Sequence, residues 1–315
     1  MAKPTIERVR GIELAFGEGL AWDEDLGRLY FVDAVKRQVH WFEPASGERG
    51  ALEVPAMPTV VRITDVPGVL VVSLPDGLHR LDVANGQSSL LAALPDAKAP
   101  RMNDAAVDGR GRFVTGHFFF GPGDDSVSGA YWSFDVTAGW RRVDTGKGNT
   151  NGPCFSPDGA TFYVADTSFE KIHCFDYDLS DGTLHNGRVF ADYRDIDGVP
   201  DGAKVDSDGH LWSVALGGSQ LVRFAPDGRV DRSVTLTANR PTDLIFAGPN
   251  RDVAYVTTVG IRLGEVDSVG PGAGGLLRVE GLGATGLEDA RFRLADADAH
   301  TGVQFPRGTS QPDRD

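Results

Sequence analysis

Short apolar runs of about five residues alternate along this chain with polar turns built from Asp, Gly, Ser and Pro. One segment shows the pattern fully. Asn151-Gly-Pro-Cys-Phe leads into the turn Ser156-Pro-Asp-Gly159, then Ala160-Thr-Phe-Tyr-Val-Ala165, then Lys171-Ile-His-Cys-Phe-Asp-Tyr177. A second turn, Ser180-Asp-Gly182, precedes a last apolar stretch near Arg188-Val-Phe190. Runs this short, rich in β-branched and aromatic residues and closed by Asp-Gly turns, predict four strands and no helix. The skeleton returns further on, with the turn Asp206-Ser-Asp-Gly209, strands His210-Leu-Trp-Ser-Val214 and Gln220-Leu-Val-Arg-Phe224, and the turn Pro226-Asp-Gly228. It is also present near the start, where Asp23-Glu-Asp-Leu-Gly27 precedes Arg28-Leu-Tyr-Phe-Val32.

These segments belong to an internal repeat. A polar or charged residue stands five positions ahead of a turn-like element at Glu18, Arg62, Asn103, Asn151, Asp201 and Thr242, at intervals of 44, 41, 48, 50 and 41 residues. A period of that length fits the four-stranded blade of a β-propeller and exceeds that of most helical solenoids. The expected architecture is all-β: six blades of four antiparallel strands around a central channel. The innermost strand of each blade lines the channel, so the repeat gathers the six opening residues into a ring at one mouth.

Composition fits a loop-rich body with a large core: 315 residues, 40 Gly, 18 Pro and 41% hydrophobic residues. A repeat running evenly from Glu18 to about Glu280 leaves no room for an interior boundary, so residues 1–308 are expected to form one domain. Residues 309–315, all polar or Pro, are expected to lack fixed structure. A net charge of −14 repels phosphate backbones and anionic lipid headgroups, which excludes nucleic acid as a partner. No apolar run suits a signal peptide or a membrane span, so a cytoplasmic location is expected. Cys154 and Cys174, placed on neighbouring strands, read as small buried apolar residues in a reducing compartment, with a disulfide as the less favoured reading.

Chemistry concentrates in the ring. Taken singly, Glu18, Asn103, Asn151 and Asp201 read as caps of strands and turns. Taken together at one repeat position, they offer an oxygen-only donor set suited to a hard divalent cation, and Glu18 and Asp201 brought together require a counter-charge. Such a shell accepts calcium first, and also magnesium, manganese or zinc. The residue two places before Asn103 is Arg101, whose guanidinium either pairs with a ring carboxylate or holds a substrate oxygen. Asn149 and Arg240 hold the equivalent place in the fourth and sixth repeats, and Phe16, Val60 and Val199 read as packing.

Four stretches carry a resemblance: Phe16-Gly-Glu-Gly-Leu-Ala-Trp-Asp23; Arg101-Met-Asn-Asp-Ala-Ala-Val-Asp-Gly-Arg-Gly-Arg112; Asn151-Gly-Pro-Cys-Phe-Ser-Pro-Asp-Gly159 with Phe162-Tyr-Val-Ala-Asp-Thr167; and Pro200-Asp-Gly-Ala-Lys-Val-Asp-Ser-Asp-Gly-His-Leu-Trp212. In order and spacing they resemble the motifs of the gluconolactonase, regucalcin and luciferin-regenerating-enzyme family, and Gly281-Leu-Gly-Ala-Thr-Gly286 resembles its closing segment. The resemblance implies a six-bladed propeller and one catalytic divalent metal on the residues matching Glu18, Asn151 and Asp201. It further implies substrate contacts at Arg101 and Asn103, with Asn103 at or near the metal, and hydrolysis of sugar lactones. Metal on the lactone carbonyl would act as a Lewis acid while water attacks. Asp201 is the candidate base, with a metal-bound hydroxide as the competing version.

The chain departs from the family at Gly116-His-Phe-Phe-Phe-Gly-Pro-Gly-Asp-Asp125. Phe119 is expected to wall the channel mouth and favour a more hydrophobic lactone, while Phe118 and Phe120 either join it or pack between blades. His117 is expected either to touch substrate or to be structural. Two other readings of function stand beside lactone hydrolysis: organophosphate hydrolysis, and a non-catalytic binding propeller whose metal only ties blades together. A serine-hydrolase route lacks its Gly-x-Ser-x-Gly elbow. Gly281-x-Gly283-x-x-Gly286 lacks the surrounding βαβ unit of a dinucleotide site and reads as a loop.

Overall fold

The structure, a computed structural model, describes residues 3–95, 101–117, 130–144, 148–262 and 264–294. Its strands form six four-stranded antiparallel sheets, each a blade of a six-bladed propeller. The inner strands are Gly17–Asp23, Val60–Ile63, Met102–Val107, Thr150–Phe155, Val199–Val205 and Pro241–Ala247. Each packs against the next, and the sixth packs against the first, which closes the circle.

Blade 4 shows how the sequence pattern becomes a sheet. Its strands are Thr150–Phe155, Thr161–Asp166, Lys171–Asp178 and Thr183–Asp192, paired in that order. Gly159 takes φ +68° in the first turn, and its amide donates to the Ser156 carbonyl at 2.8 Å. A residue with a Cβ is strained in that conformation, which is why the turn ends in glycine. The last strand starts five residues earlier than the apolar stretch Arg188-Val-Phe190 suggests, at Thr183, and buries Leu184 there ahead of the exposed His185, Asn186 and Gly187.

Each blade buries both faces. In the strand Arg28–Asp33 of blade 1, Leu29 and Phe31 pack toward blade 6, whereas Tyr30 and Val32 pack toward blade 2. Successive side chains of a strand point to opposite faces, so a strand between two sheets reads as an unbroken apolar run. Among the described residues, buried clusters occupy all six interfaces between blades. Trp212, fully buried, meets Phe246 of the next blade edge-on at 6.0 Å between ring centroids. Burying an aromatic of that size contributes about 2–3 kcal/mol, so the stability lies between blades rather than in a central core.

The closure was not legible in the repeat. Blade 6 takes Pro241–Ala247, Val253–Thr258 and Leu276–Glu280 from the end of the chain, and its outer strand, Thr5–Arg8, from the start. Past Glu280, residues 281–294 run across the far ends of the inner strands: the Ser207 amide donates to Thr285, and the Phe292 amide to Ile63. The cysteines are buried and free, as the favoured reading has them, but they do not lie on neighbouring strands. Cys154 and Cys174 flank the strand Thr161–Asp166, and both lie in register with Tyr163. Two strand spacings, roughly 9–10 Å, separate them, so they cannot bridge; both are buried free thiols. Residues 309–315 lie outside the described residues. Among the described residues, no helix is long and apolar enough to cross a membrane.

Candidate functional site

In five of the six inner strands the pairing register slips where the strand meets the channel mouth. The slips fall between Glu18 and Ala21, Met102 and Ala105, Asn151 and Cys154, Pro200 and Ala203, and Pro241 and Asp243. A bulge inserts an unpaired residue and turns a side chain out of the alternation. Asn103, Asp201 and Thr242 fall inside the slip without a register partner, while Glu18 and Asn151 are the last paired residues before it, opposite Val32 and Ala165, so all five stand at the bulge. Blade 2 has no bulge: Val60–Ile63 pairs in regular register with Val69–Leu74.

Arg62 is therefore misplaced in the sequence-derived ring. It is the third residue of its strand and lies buried in the channel below the mouth, where its guanidinium donates to the carbonyls of Leu20 and Ala105. It also pairs with Asp104 at 3.1 Å. It ties blades 1, 2 and 3 together.

The residue following each turned position explains why the strands can come so close. Gly19 and Gly152 take φ +62° and +52°. A Cβ on Gly152 would sit 2.5 Å from the Ala203 nitrogen, and one on Gly19 would sit 2.7 Å from the Val60 Cα, so each bulge rests against the next blade. A Cβ on Gly202 would lie 2.3 Å from a carboxylate oxygen of Asp243. Repeats 3 and 6 have aspartate where these have glycine. Asp104 Oδ2 accepts from the Gly152 amide at 2.9 Å, and Asp243 Oδ2 accepts from the Leu20 amide at 2.7 Å. Both carboxylates thus latch neighbouring blades. Sequence reasoning missed them, although alignment of the pairs Glu-Gly, Asn-Asp, Asn-Gly, Asp-Gly and Thr-Asp shows two acids at one repeat position.

The expected donors converge in part through direct contact. Asn103 Nδ2 donates to Asn151 Oδ1 at 2.5 Å and to the Thr150 carbonyl at 2.9 Å. Glu18 lies in the electrostatic field of Asp201. Burial pushes the Glu18 carboxyl well above its ordinary value, and Asp201, Asp243 and Asp104 push it further. Asp201 is raised the same way, by burial first and then by Asp104 and Asp243. Asp243 is pushed up to about 7, chiefly by burial and then by Asp104.

Among the described residues neither Glu18 nor Asp201 takes part in an ion pair, while Asp104 has Arg62. A buried carboxylate, Asp201, and a half-buried one, Glu18, beside two carboxamides and outside any ion pair among the described residues, have the donor chemistry of a hard divalent ion. The set departs from a cluster of His, Cys, Asp and Glu alone, and no three such residues group in that manner among the described residues.

Arg101 directly precedes the strand Met102–Val107. Burial lowers its pKa, and the Glu18 carboxylate opposes that shift, which sets the guanidinium within electrostatic reach of the ring. His117 stands opposite Met102, buried, with its ring tilted against Trp132 at 6.3 Å. Thr242 donates to the Gly17 carbonyl at 2.6 Å and joins blade 6 to blade 1. Arg240 donates to the Val266 carbonyl at 3.1 Å. Phe118, Phe119 and Phe120 lie outside the described residues. A separate cavity of about 420 Å³, lined by Cys154, Lys204 and Asp289 among others, opens at the far ends of the inner strands and is not at the ring.

Comparison with known proteins finds relatives along most of the chain. The family model for the SMP-30/Gluconolactonase/LRE-like region matches residues 16–260. A pentonolactonase from Haloferax volcanii is 31% identical over 294 residues, covering 91% of this chain and 98% of its own. An L-arabinolactonase from Azospirillum brasilense is 30% identical over 279 residues, covering 88% and 91%. Among solved structures, a luciferin-regenerating enzyme superposes with a TM-score of 0.85 at 25% identity, over 92% of this chain and 100% of that one. A calcium-binding regucalcin from Agrobacterium tumefaciens shares the fold, with a TM-score of 0.82 at 24% identity over 93% and 100% of the two chains.

Proposed function

The chain belongs to the SMP-30/Gluconolactonase/LRE-like family, and from that premise we propose that it is a divalent-metal-dependent lactonase that opens sugar lactones. The observation that carries the reading is the gathering of Glu18, Asn103, Asn151 and Asp201 at one bulged position of four inner strands, in a chain whose relatives include a pentonolactonase and an L-arabinolactonase. Glu18, Asn151 and Asp201 would hold the ion, with calcium the first candidate and Asn103 at its edge. A cation held there would polarise the lactone carbonyl and supply the counter-charge that these carboxylates need.

The remaining chemistry belongs to the chain. Both N–H groups of Asn103 are engaged by Thr150 and Asn151, so its Oδ1 is the atom that accepts from a hydroxyl of the sugar ring. Arg101, beside Glu18, directs its fork of donors at substrate oxygens and fixes the ring against the site. Burial raises the Asp201 carboxyl in the metal-free protein and a bound cation would lower it again, so its role as the base rests on its place beside the attacking water. It takes a proton from the attacking water as the new C–O bond forms. The same proton passes to the ring oxygen as the ester bond breaks, which leaves the open hydroxy acid. Arg62 ties three inner strands together across the channel below the ring, and substrate entry is assigned to the bulged mouth where the proposed ligands stand.

The test is a panel of aldonolactones, five-carbon members first, with release of acid followed by a pH indicator before and after a chelator. Turnover lost with chelator and restored by calcium, zinc, magnesium or manganese is the expected result. Equal rates in both samples would reject the metal mechanism, and no turnover of any lactone would reject the hydrolase reading.

A further inference from the structure

We infer that Thr167 is a positioning residue that holds the Asn151 carboxamide with its oxygen toward the channel; this rests on the metal-dependent reading above. Thr167 opens a single 3-10 turn, Thr167–Phe169, directly after the second strand of blade 4. Its Oγ1 lies 2.8 Å from the Pro200 carbonyl and 2.7 Å from Asn151 Nδ2. A backbone carbonyl can only accept, so the single hydroxyl proton is committed to Pro200. What the hydroxyl then presents to Asn151 is lone pairs alone, and only the NH₂ end of the carboxamide can meet them. The carboxamide oxygen is left facing Asn103, whose Nδ2 can only donate and does so at 2.5 Å. Each end of the Asn151 amide thus meets a group that tolerates one orientation.

The consequence is chemical. An NH₂ group in place of that oxygen offers a cation no lone pair, so a flipped Asn151 removes one of the three proposed ligands without moving the backbone. Thr167 also joins the amide to the peptide carbonyl of Pro200, one residue before Asp201, so a single hydroxyl registers ligands from blades 4 and 5 against each other. Groups that orient a ligand in this way typically change metal affinity by about 10- to 100-fold when removed.

Calorimetric titration of the metal-free protein with calcium alone tests this. Thr167→Val, close in shape but lacking the hydroxyl, is expected to bind calcium at least about tenfold more weakly, and Thr167→Ser to stay close to wild type. Thr167→Ala carries the same expectation as the valine variant should valine at this position impair folding. In an Asn151→Asp background the loss is expected to vanish, because a carboxylate presents oxygen whichever way it turns. Wild-type affinity in both Thr167→Val and Thr167→Ala overturns the inference, and so does an equal loss in the Asn151 and Asn151→Asp backgrounds, which marks a merely structural hydroxyl. A wild-type protein that binds no divalent ion overturns the metal reading itself, and that outcome is visible before any variant is made.

Discussion

Gly152 and Gly159 provide a controlled pair for the claim that bulged strands nest against one another. Both lie in the first hairpin of blade 4, and both take positive φ, +52° and +68°. Alanine in that region is disfavoured by about 1–2 kcal/mol, partly offset by a stiffer unfolded chain. A Cβ at Gly159 meets nothing within 4 Å, so Gly159→Ala should cost only this backbone term, about 1 kcal/mol. At Gly152 the same Cβ lands 2.5 Å from the Ala203 nitrogen and 2.7 Å from the Asp201 carbonyl oxygen. Those are backbone atoms of the next blade and cannot rotate away. Forcing them back adds about 1–3 kcal/mol of overpacking, for a total of about 2–4 kcal/mol. At roughly 2 °C per kcal/mol for a chain of this size, Gly152→Ala should lower Tm by about 4–8 °C and Gly159→Ala by about 2 °C. Calorimetry of both variants, each with chelator present, reads the difference. Because the displaced backbone leads into Asp201, lactone kcat/KM should fall at least tenfold in Gly152→Ala and stay near wild type in Gly159→Ala. Equal Tm losses in the two variants would refute the nesting, since backbone strain alone would then account for both.

Three further outcomes are expected. Asp201→Ala should abolish lactone turnover while near-ultraviolet circular dichroism stays native; global unfolding would instead assign the ion a structural role. Asp243, at about 7 rather than its ordinary 3.8, contributes stability that is whole below about pH 4 and is lost as pH rises through 7. In chelated protein that amounts to about 4 kcal/mol at 1.36 kcal/mol per pH unit, so the Tm of Asp243→Asn minus that of wild type should climb between about pH 4 and pH 7 and level off above, and a flat difference would sink the argument. Cys154, its thiol pushed up to about 12 by burial, and Cys174 should both resist a thiol reagent in the native protein and both react in guanidinium without reductant. Failure to label in denaturant would mean that they are bridged after all.

The legible part of this protein was what the two-residue period of a strand and the roughly 45-residue period of the blade can carry. Leu29-Tyr-Phe-Val32 announces a strand buried on both faces, and Asp-Gly turns mark where strands end, because φ preferences and side-chain alternation act within a few residues. The spacing of Glu18, Asn103, Asn151 and Asp201 then placed them at equivalent points of the first, third, fourth and fifth blades. Bulges lie beyond local propensity. Only the packed ring shows that blade 2 lacks one, which drops Arg62 into the channel to hold Asp104. Only the packed ring makes interblade latches of Asp104 and Asp243, since their amide partners lie 48 and 223 residues away in the chain. Closure by Thr5–Arg8 likewise depends on the first strand finding the last blade. Sequence determined the elements and their order, through short-range sterics. The tertiary structure decided which charges meet, because burial and a neighbour's field exist only once the circle has closed.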